Sequence, residues 1–172
     1  MRLLHACIIS VFLLLICISG CTTSNPPSVK GTPSLKTPPP VSTEIRDEVI
    51  VSIISDQLSV FQSDLNTLAN SLSTGNCPVI QAASRTLQNT TSSQVSLLKQ
   101  LRSNNTNIEQ ARLAQISAYQ NAEKFADEIQ KMCEAKDVNA IMSHADSASA
   151  FLNSTMKDLA SAQQFMKKAA RD

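Results

Sequence analysis

The chain has 172 residues and a formal net charge of +1; 42% of its residues are apolar, 17% are charged and only 3% are aromatic. This length fits one folded domain of ordinary size. Its three Gly are scattered, whereas Rossmann and P-loop phosphate sites need clustered glycines, so these nucleotide-binding classes are excluded. The near balance of charge, without a basic face, argues against nucleic acid as a partner.

The start of the chain has the pattern of a secretory signal peptide. Arg2 precedes a largely apolar run over residues 3–18, and the small residues Ser19 and Gly20 precede Cys21. A short basic start, an apolar core and small residues before a cleavage site are typical of such signals. We therefore expect residues 1–20 to direct export.

The last four residues of this segment, Ile18-Ser19-Gly20-Cys21, resemble the lipobox of prokaryotic lipoproteins. The resemblance implies cleavage after Gly20, a diacylglyceryl group on the Cys21 thiol, and Cys21 as the mature N-terminus. Two acyl chains give stable membrane anchoring, whereas one holds only marginally. The alternative is an uncleaved signal anchor, for which the apolar run is short of the usual span of about 20 residues.

Both alternatives export the rest of the chain and anchor it to the cell membrane on the extracytoplasmic side. In a Gram-negative cell the resemblance implies the outer membrane. Thr22 follows the cysteine, where an Asp commonly marks inner-membrane retention in lipoproteins.

The next segment predicts a flexible, disordered linker. After Cys21, residues 22–43 read TTSNPPSVKGTPSLKTPPPVST and contain six of the seven Pro in the chain. Such a segment buries too little apolar surface to fold and favours extended conformations. At about 3.1 Å per residue it reaches up to roughly 70 Å. Its expected role is to hold the folded domain away from the lipid; disorder without a function is the alternative.

From residue 44 onward the apolar spacing is helical and predicts an all-α fold of four helices, at about 44–74, 78–103, 106–136 and 138–170. The stripe of the first helix, for example, is spaced by 4, 3, 4, 3 and 4 residues: Ile54, Leu58, Phe61, Leu65, Leu68 and Leu72. Because the joints are short, neighbouring helices are expected to be antiparallel, which gives an up-down-up-down four-helix bundle.

Residues that favour helix termini predict where the helices begin and end. Gly75 favours a left-handed end to the first helix, and Pro78 suits the first turn of the second. Thr106 and Glu109 match a capping box at the start of the third helix, and Asp137 is the expected cap of the fourth. The run 89–93, NTTSS, contains weak helix formers and predicts a bend or fraying in the second helix.

The cysteine count predicts one disulfide. Of the five cysteines, Cys7 and Cys17 lie in the signal and Cys21 is the lipidated residue, which leaves Cys77 and Cys133. In an exported protein two remaining thiols are expected to pair, and an up-down-up-down bundle places both at the same end. Two free, buried thiols are the alternative.

The domain offers little to support catalysis or metal binding. Its one histidine, His144, has no partner marked by the sequence, and a zinc site needs three or four ligands. The methionines near it allow the hypothesis of copper or haem binding, but Met also fills gaps in an Ala-rich core: Met132, Met142, Met156 and Met166. We expect no metal, no cofactor and no catalytic residue.

Three sequons mark Asn89, Asn104 and Asn153 as candidate N-glycosylation sites. They matter only in cells that glycosylate exported proteins. Asn104, at a joint between helices, is the expected most accessible of the three.

Two function hypotheses follow. The first is a membrane-anchored binding or structural module whose partner is an envelope or surface protein or polymer. The second is a bundle that carries or senses a small ligand, such as an apolar molecule, haem or a metal, since bundle cores build such sites. A gap around the Ala-rich half of the core would favour the second: Ala118, Ala122, Ala145 and Ala148. An enzyme is the least favoured class.

Overall fold

The computed structural model describes residues 46–171, and this part of the chain is all-α. Its four helices are α1 (Asp47–Thr74), α2 (Cys77–Gln100), α3 (Thr106–Glu134) and α4 (Val138–Ala169), packed against one another without a strand in the described range. The all-α fold with four helices is therefore confirmed. The predicted signal peptide, the lipidated Cys21 and the linker lie outside the described residues.

Three of the predicted helix ends are confirmed by the backbone. Gly75 follows α1 with φ of 63°, the left-handed conformation that glycine adopts without strain. Pro78 lies in the first turn of α2, where its missing N–H costs no helical hydrogen bond. Asp137 caps α4, because its side chain accepts a hydrogen bond from the Ala140 amide at 2.9 Å.

The predicted capping box at Thr106 and Glu109 is wrong by one residue. The cap of α3 is Asn105, whose Oδ1 accepts hydrogen bonds from the amides of Asn107 at 2.9 Å and Ile108 at 3.2 Å. Thr106 is already helical, and the carboxylate of Glu109 binds Arg112 instead. Asn is at least as good an N-cap as Thr. The sequence pattern alone therefore does not distinguish Asn105 from Thr106 as the cap of α3.

The predicted fraying of the second helix is also wrong, because α2 continues without interruption through residues 89–93. Thr91 is fully buried and its hydroxyl donates to the Leu87 carbonyl at 2.8 Å. Packing into the core thus outweighs weak helix propensity at this position. The helix ends at Gln100, three residues before the predicted end, and Arg102 donates from Nη1 to the carbonyls of Lys99 and Leu101 just beyond it.

Helix α3 contacts each of the other three helices. Toward α1, Tyr119 packs on Phe61 with ring centroids 5.0 Å apart and an interplanar angle of 45°. Both rings are fully buried, and such a pair contributes about 0.5–1.5 kcal/mol beyond its buried area. The core therefore contains a buried aromatic contact between α1 and α3.

The most extensive backbone contact in the described chain is between α3 and α4. Small side chains fill this contact and all are buried: Ala118, Ala122, Ala145 and Ala148. At its edge Asp158 accepts hydrogen bonds from Ser117 Oγ at 2.6 Å and Asn121 Nδ2 at 3.1 Å. The Ala-rich half of the core thus lies on the two helices that share the most extensive contact.

Polar contacts also connect neighbouring helices along their length. Between α2 and α3 they join Gln81 to Glu134, Gln88 to Gln130 and the Leu98 carbonyl to Arg112. Between α3 and α4 they join Glu128 to His144, the Ala118 carbonyl to Thr155, and Ser117 to Asp158.

None of the described helices is long and apolar enough to cross a membrane.

The close packing of α3 on α4 predicts a strong penalty for a larger side chain at the contact. Ala148→Leu is expected to destabilise the fold by about 1–3 kcal/mol, because overpacking displaces side chains and backbone. Ala150→Leu is the matched control, since Ala150 is exposed on the same helix and its replacement is expected to change stability by less than about 0.5 kcal/mol. Urea unfolding measures both, and equal stability of the two variants would contradict the assigned packing.

Candidate functional site

Cys77 and Cys133 lie side by side at one end of the helical domain. Cys77 is the first residue of α2, Cys133 is in the last turn of α3, and each is partly buried. Burial, followed by the hydrogen bond with Cys77, raises the pKa of the Cys133 thiol to about 12. Cys133 is thus protonated and weakly nucleophilic at neutral pH.

Both cysteines are free thiols in this structure. The structure brings together the two residues for which the sequence predicts a disulfide, and the bond itself stays a prediction. Beside them, Gln81 Nε2 donates to Glu134 Oε1 at 3.3 Å, and one turn further Gln130 Nε2 donates to Gln88 Oε1 at 2.7 Å. These contacts hold α2 against α3 next to the thiols.

His144 has a partner that sequence reasoning missed. Its Nδ1 forms a hydrogen bond of 2.8 Å with Glu128 Oε2, which joins α4 to α3. Lys131 Nζ lies 2.8 Å from the other carboxylate oxygen of Glu128 and 2.6 Å from Asp127 Oδ2. The hydrogen bonds from Lys131 first, and then from His144, lower the pKa of Glu128. We call these four residues the acid–base cluster.

The acid–base cluster connects two helices through the hydrogen bond between Glu128 and His144. Glu128 and His144 are 16 positions apart in sequence, so no local spacing could have predicted the pair. In the described part of the chain, no group of three or more His, Cys, Asp or Glu side chains is arranged to hold a metal ion. Met132 is buried and Met142 is exposed, while Met156 and Met166 lie partly buried against the core.

The sequon asparagines Asn89, Asn104 and Asn153 are all exposed. Asn89 is on α2, Asn153 is on α4, and Asn104 lies in the joint between α2 and α3. All three side chains are therefore accessible from solvent, and their glycosylation stays a prediction.

A second set of residues lies inside the core and was not anticipated. We call Gln57, Gln94 and Gln115 the glutamine layer; they come from α1, α2 and α3 and are all buried. Gln94 Nε2 donates to the Gln57 carbonyl at 3.0 Å, and Gln115 Nε2 donates to the Ile54 carbonyl at 3.1 Å. Side-chain amides from two helices therefore bind the backbone of a third.

Polar groups continue along α3 on both sides of Gln115. One turn later Tyr119 is fully buried, and its hydroxyl accepts a hydrogen bond from Gln115 Nε2. Burial raises the pKa of Tyr119 well above its usual value. One turn earlier Arg112, 3% exposed, donates to the Leu98 carbonyl at 2.9 Å and pairs with Glu109. These residues form a column of bonded polar groups between the helices.

A sequence signal for this column exists in the apolar stripes. Gln57 lies three residues after Ile54 and four before Phe61, which are both stripe positions. A polar residue at such a position predicts a buried polar side chain. What that side chain bonds to depends on how the helices align and is not readable from one helix.

Comparison of the chain with protein-family models, with curated proteins and with solved structures gives no match.

The lowered pKa of Glu128 predicts a pH-dependent contribution to stability. A carboxyl whose pKa is lower in the folded state stabilises the fold above its unfolded pKa of about 4.3, and this contribution is lost as the pH falls through the folded pKa. Glu128→Gln is therefore expected to reduce the free energy of unfolding by up to about 1 kcal/mol at pH 7, with the difference from wild type shrinking toward pH 3.

The control is Glu123→Gln on the same helix, a residue with no hydrogen bond or ion pair recorded within the described residues. Chemical denaturation at a series of pH values measures both variants. A difference between wild type and Glu128→Gln that is constant from pH 7 to pH 3 would show that the paired charge does not stabilise the fold.

Proposed function

We propose that this chain is a membrane-anchored extracytoplasmic lipoprotein whose helical domain is a binding or structural module of the cell envelope. The observation that carries the proposal is the sequence Ile18-Ser19-Gly20-Cys21 at the end of the apolar segment. Two acyl chains on Cys21 anchor the protein stably. The Pro-rich linker that follows allows the helical domain to extend away from the membrane.

The proposed architecture is an up-down-up-down bundle. Its support is the order of the contacts between helices: as residue numbers rise along α2 through Gln81, Gln88 and Leu98, those of their α3 partners fall through Glu134, Gln130 and Arg112. The same inverse order holds between α3 and α4, from the pair Ser117 and Asp158 to the pair Glu128 and His144. Joints of 2 to 8 residues suit antiparallel neighbours.

The proposed partner is an envelope or surface protein or polymer, bound by the outer faces of the helices. The support comes from the contacts and protonation of the side chains that could otherwise act in catalysis. Glu128 and His144 are bonded to each other, Arg112 is bonded to Glu109, and the thiol of Cys133 has a raised pKa. The first pair joins α3 to α4, and the Cys133 thiol, protonated at neutral pH, is a weak nucleophile.

A small-ligand carrier or sensor is the second candidate. The observation that favours it is the set of buried amide atoms without a partner in the glutamine layer, such as Nε2 of Gln57. The Ala-rich contact gives it no support, because Ala118 and Ala148 are fully buried on the two helices that share the most extensive contact.

The anchor is tested at Cys21. In a bacterial host, wild-type chain is expected in the membrane fraction with its leader removed and with a mass that includes the acyl chains. Cys21→Ala is expected to remain an unacylated precursor, because the thiol is the acceptor of the lipid. Cys17→Ala is the matched control, since Cys17 lies in the leader outside the lipobox.

Intact mass spectrometry and membrane fractionation give the answer. If the Cys21→Ala chain has the same processed mass as wild type, or if wild type retains its leader and carries no lipid, the lipoprotein assignment is wrong. The second result would identify an uncleaved signal anchor.

The proposed disulfide between Cys77 and Cys133 is tested by thiol alkylation of the exported protein. The unreduced, denatured mature chain is expected to expose no alkylatable thiol, and reduction is expected to expose two. In the chain-entropy model the bond stabilises the fold by about 4 kcal/mol. Cys77→Ser, Cys133→Ser and the double variant should then lose similar stability, since each removes the same bond. Two alkylatable thiols without reductant would contradict the bridge.

A further inference from the structure

The glutamine layer contains buried polar atoms that the protein itself leaves without partners. Gln57 and Gln94 are 7% exposed and Gln115 is 1% exposed. Among the described residues, Nε2 and Oε1 of Gln57, Oε1 of Gln94 and Oε1 of Gln115 have no hydrogen-bond partner. An unpaired buried polar group destabilises a folded protein, so four such atoms in one layer require an explanation.

The three amides lie within about one turn of α1. Gln115 binds the carbonyl of Ile54 and Gln94 binds that of Gln57, and with a helical rise of about 1.5 Å per residue these carbonyls are about 4.5 Å apart along the axis. Side chains lean toward the N-terminus of their helix, which carries the amide of Gln57 back toward the level of Ile54. The amides of Gln57 and Gln115 therefore lie at the same level of the core.

We propose that the glutamine layer is an internal binding site for water. The unpaired atoms comprise one amide donor and three carbonyl acceptors, and a water molecule both accepts and donates. One water that accepts from Gln57 Nε2 can donate to two of the carbonyls, and a second water satisfies the third. Folded proteins contain about one such buried water per 27 residues, typically with about three hydrogen bonds each.

The donor set distinguishes water from a metal cation. Amide oxygens alone would suit a hard cation such as Na⁺ or K⁺, but the amide N–H of Gln57 donates and is not a cation ligand. A neutral molecule that both accepts and donates satisfies all the unpaired atoms. This inference concerns the core of the domain and does not depend on the proposed function.

A hydrated layer would fix the alignment of α1, α2 and α3. Because each glutamine bonds both to a backbone carbonyl and to shared water, a shift of one helix along another would break several hydrogen bonds at once. Buried polar residues specify helix register in coiled coils in this way. The apolar stripes alone would tolerate such a shift more easily.

The test is NMR detection of bound water in the full chain reconstituted in lipid nanodiscs. Cross-relaxation from long-lived water to the side-chain amide protons of Gln57, Gln94 and Gln115 is expected in wild type. Gln57→Leu is expected to lose these signals at Gln115 and to lower the Tm, because the remaining carbonyls lose their bridging water. The matched control is Gln62→Leu, which replaces an exposed glutamine of α1 and should leave both readouts unchanged.

Two results would overturn the proposal. A wild-type layer without water signals, together with a higher Tm for Gln57→Leu, would show a dry core in which the unpaired amide is only a cost. A wild-type Tm that rises with KCl or NaCl relative to choline chloride at equal ionic strength, and a Gln57→Leu variant that loses this dependence, would identify a cation site instead. If Gln57→Leu does not fold, the absence of water signals from the wild-type layer overturns the proposal by itself.

Discussion

The structure depends on α3, the helix that contacts the other three. One side of it carries small residues such as Ala118 and Ala122 and meets α4 at close range. Another side carries the larger buried residues Arg112, Gln115 and Tyr119 and meets α1 and α2. Small side chains allow backbones to approach, whereas long polar ones require bonded partners at defined positions. A single helix therefore combines the tightest packing in the domain with its most specific hydrogen bonds.

These two kinds of contact contribute differently to the fold. The apolar contacts supply most of the stabilising free energy, since burial of apolar area is the dominant favourable term in folding. The polar contacts discriminate between alignments, because Gln94 and Gln115 each reach one particular carbonyl of α1 and an alternative alignment would leave their amides unpaired. The buried guanidinium of Arg112 has the same character, because it donates to the Leu98 carbonyl of α2 and a buried charge without partners would be costly.

The sequence predicts those features that depend on local chemistry. Gly75 and Asp137 act within one turn of their own positions, and the helical stripes depend only on spacing along one helix. The errors arose where tertiary contacts outweigh local preference, as at Thr91, whose burial maintains a helix that its propensity does not favour. The pair of Glu128 and His144 could not be predicted, because it depends on the alignment of two helices.

In the proposed lipoprotein, Cys77 and Cys133 lie at the end of the domain opposite to the one that the linker enters. Helix α1 has 28 residues and so spans about 42 Å at 1.5 Å per residue, which separates Arg46, next to the linker, from Cys77. Helix ends are the places where a bundle opens most readily, and the far end is where the thiols of Cys77 and Cys133 meet. A covalent bond there would restrain the part of the domain that no membrane anchor steadies. A partner of the proposed lipoprotein would then meet helices that are held in place by the contacts of α3 along their length and by the cysteines at one end.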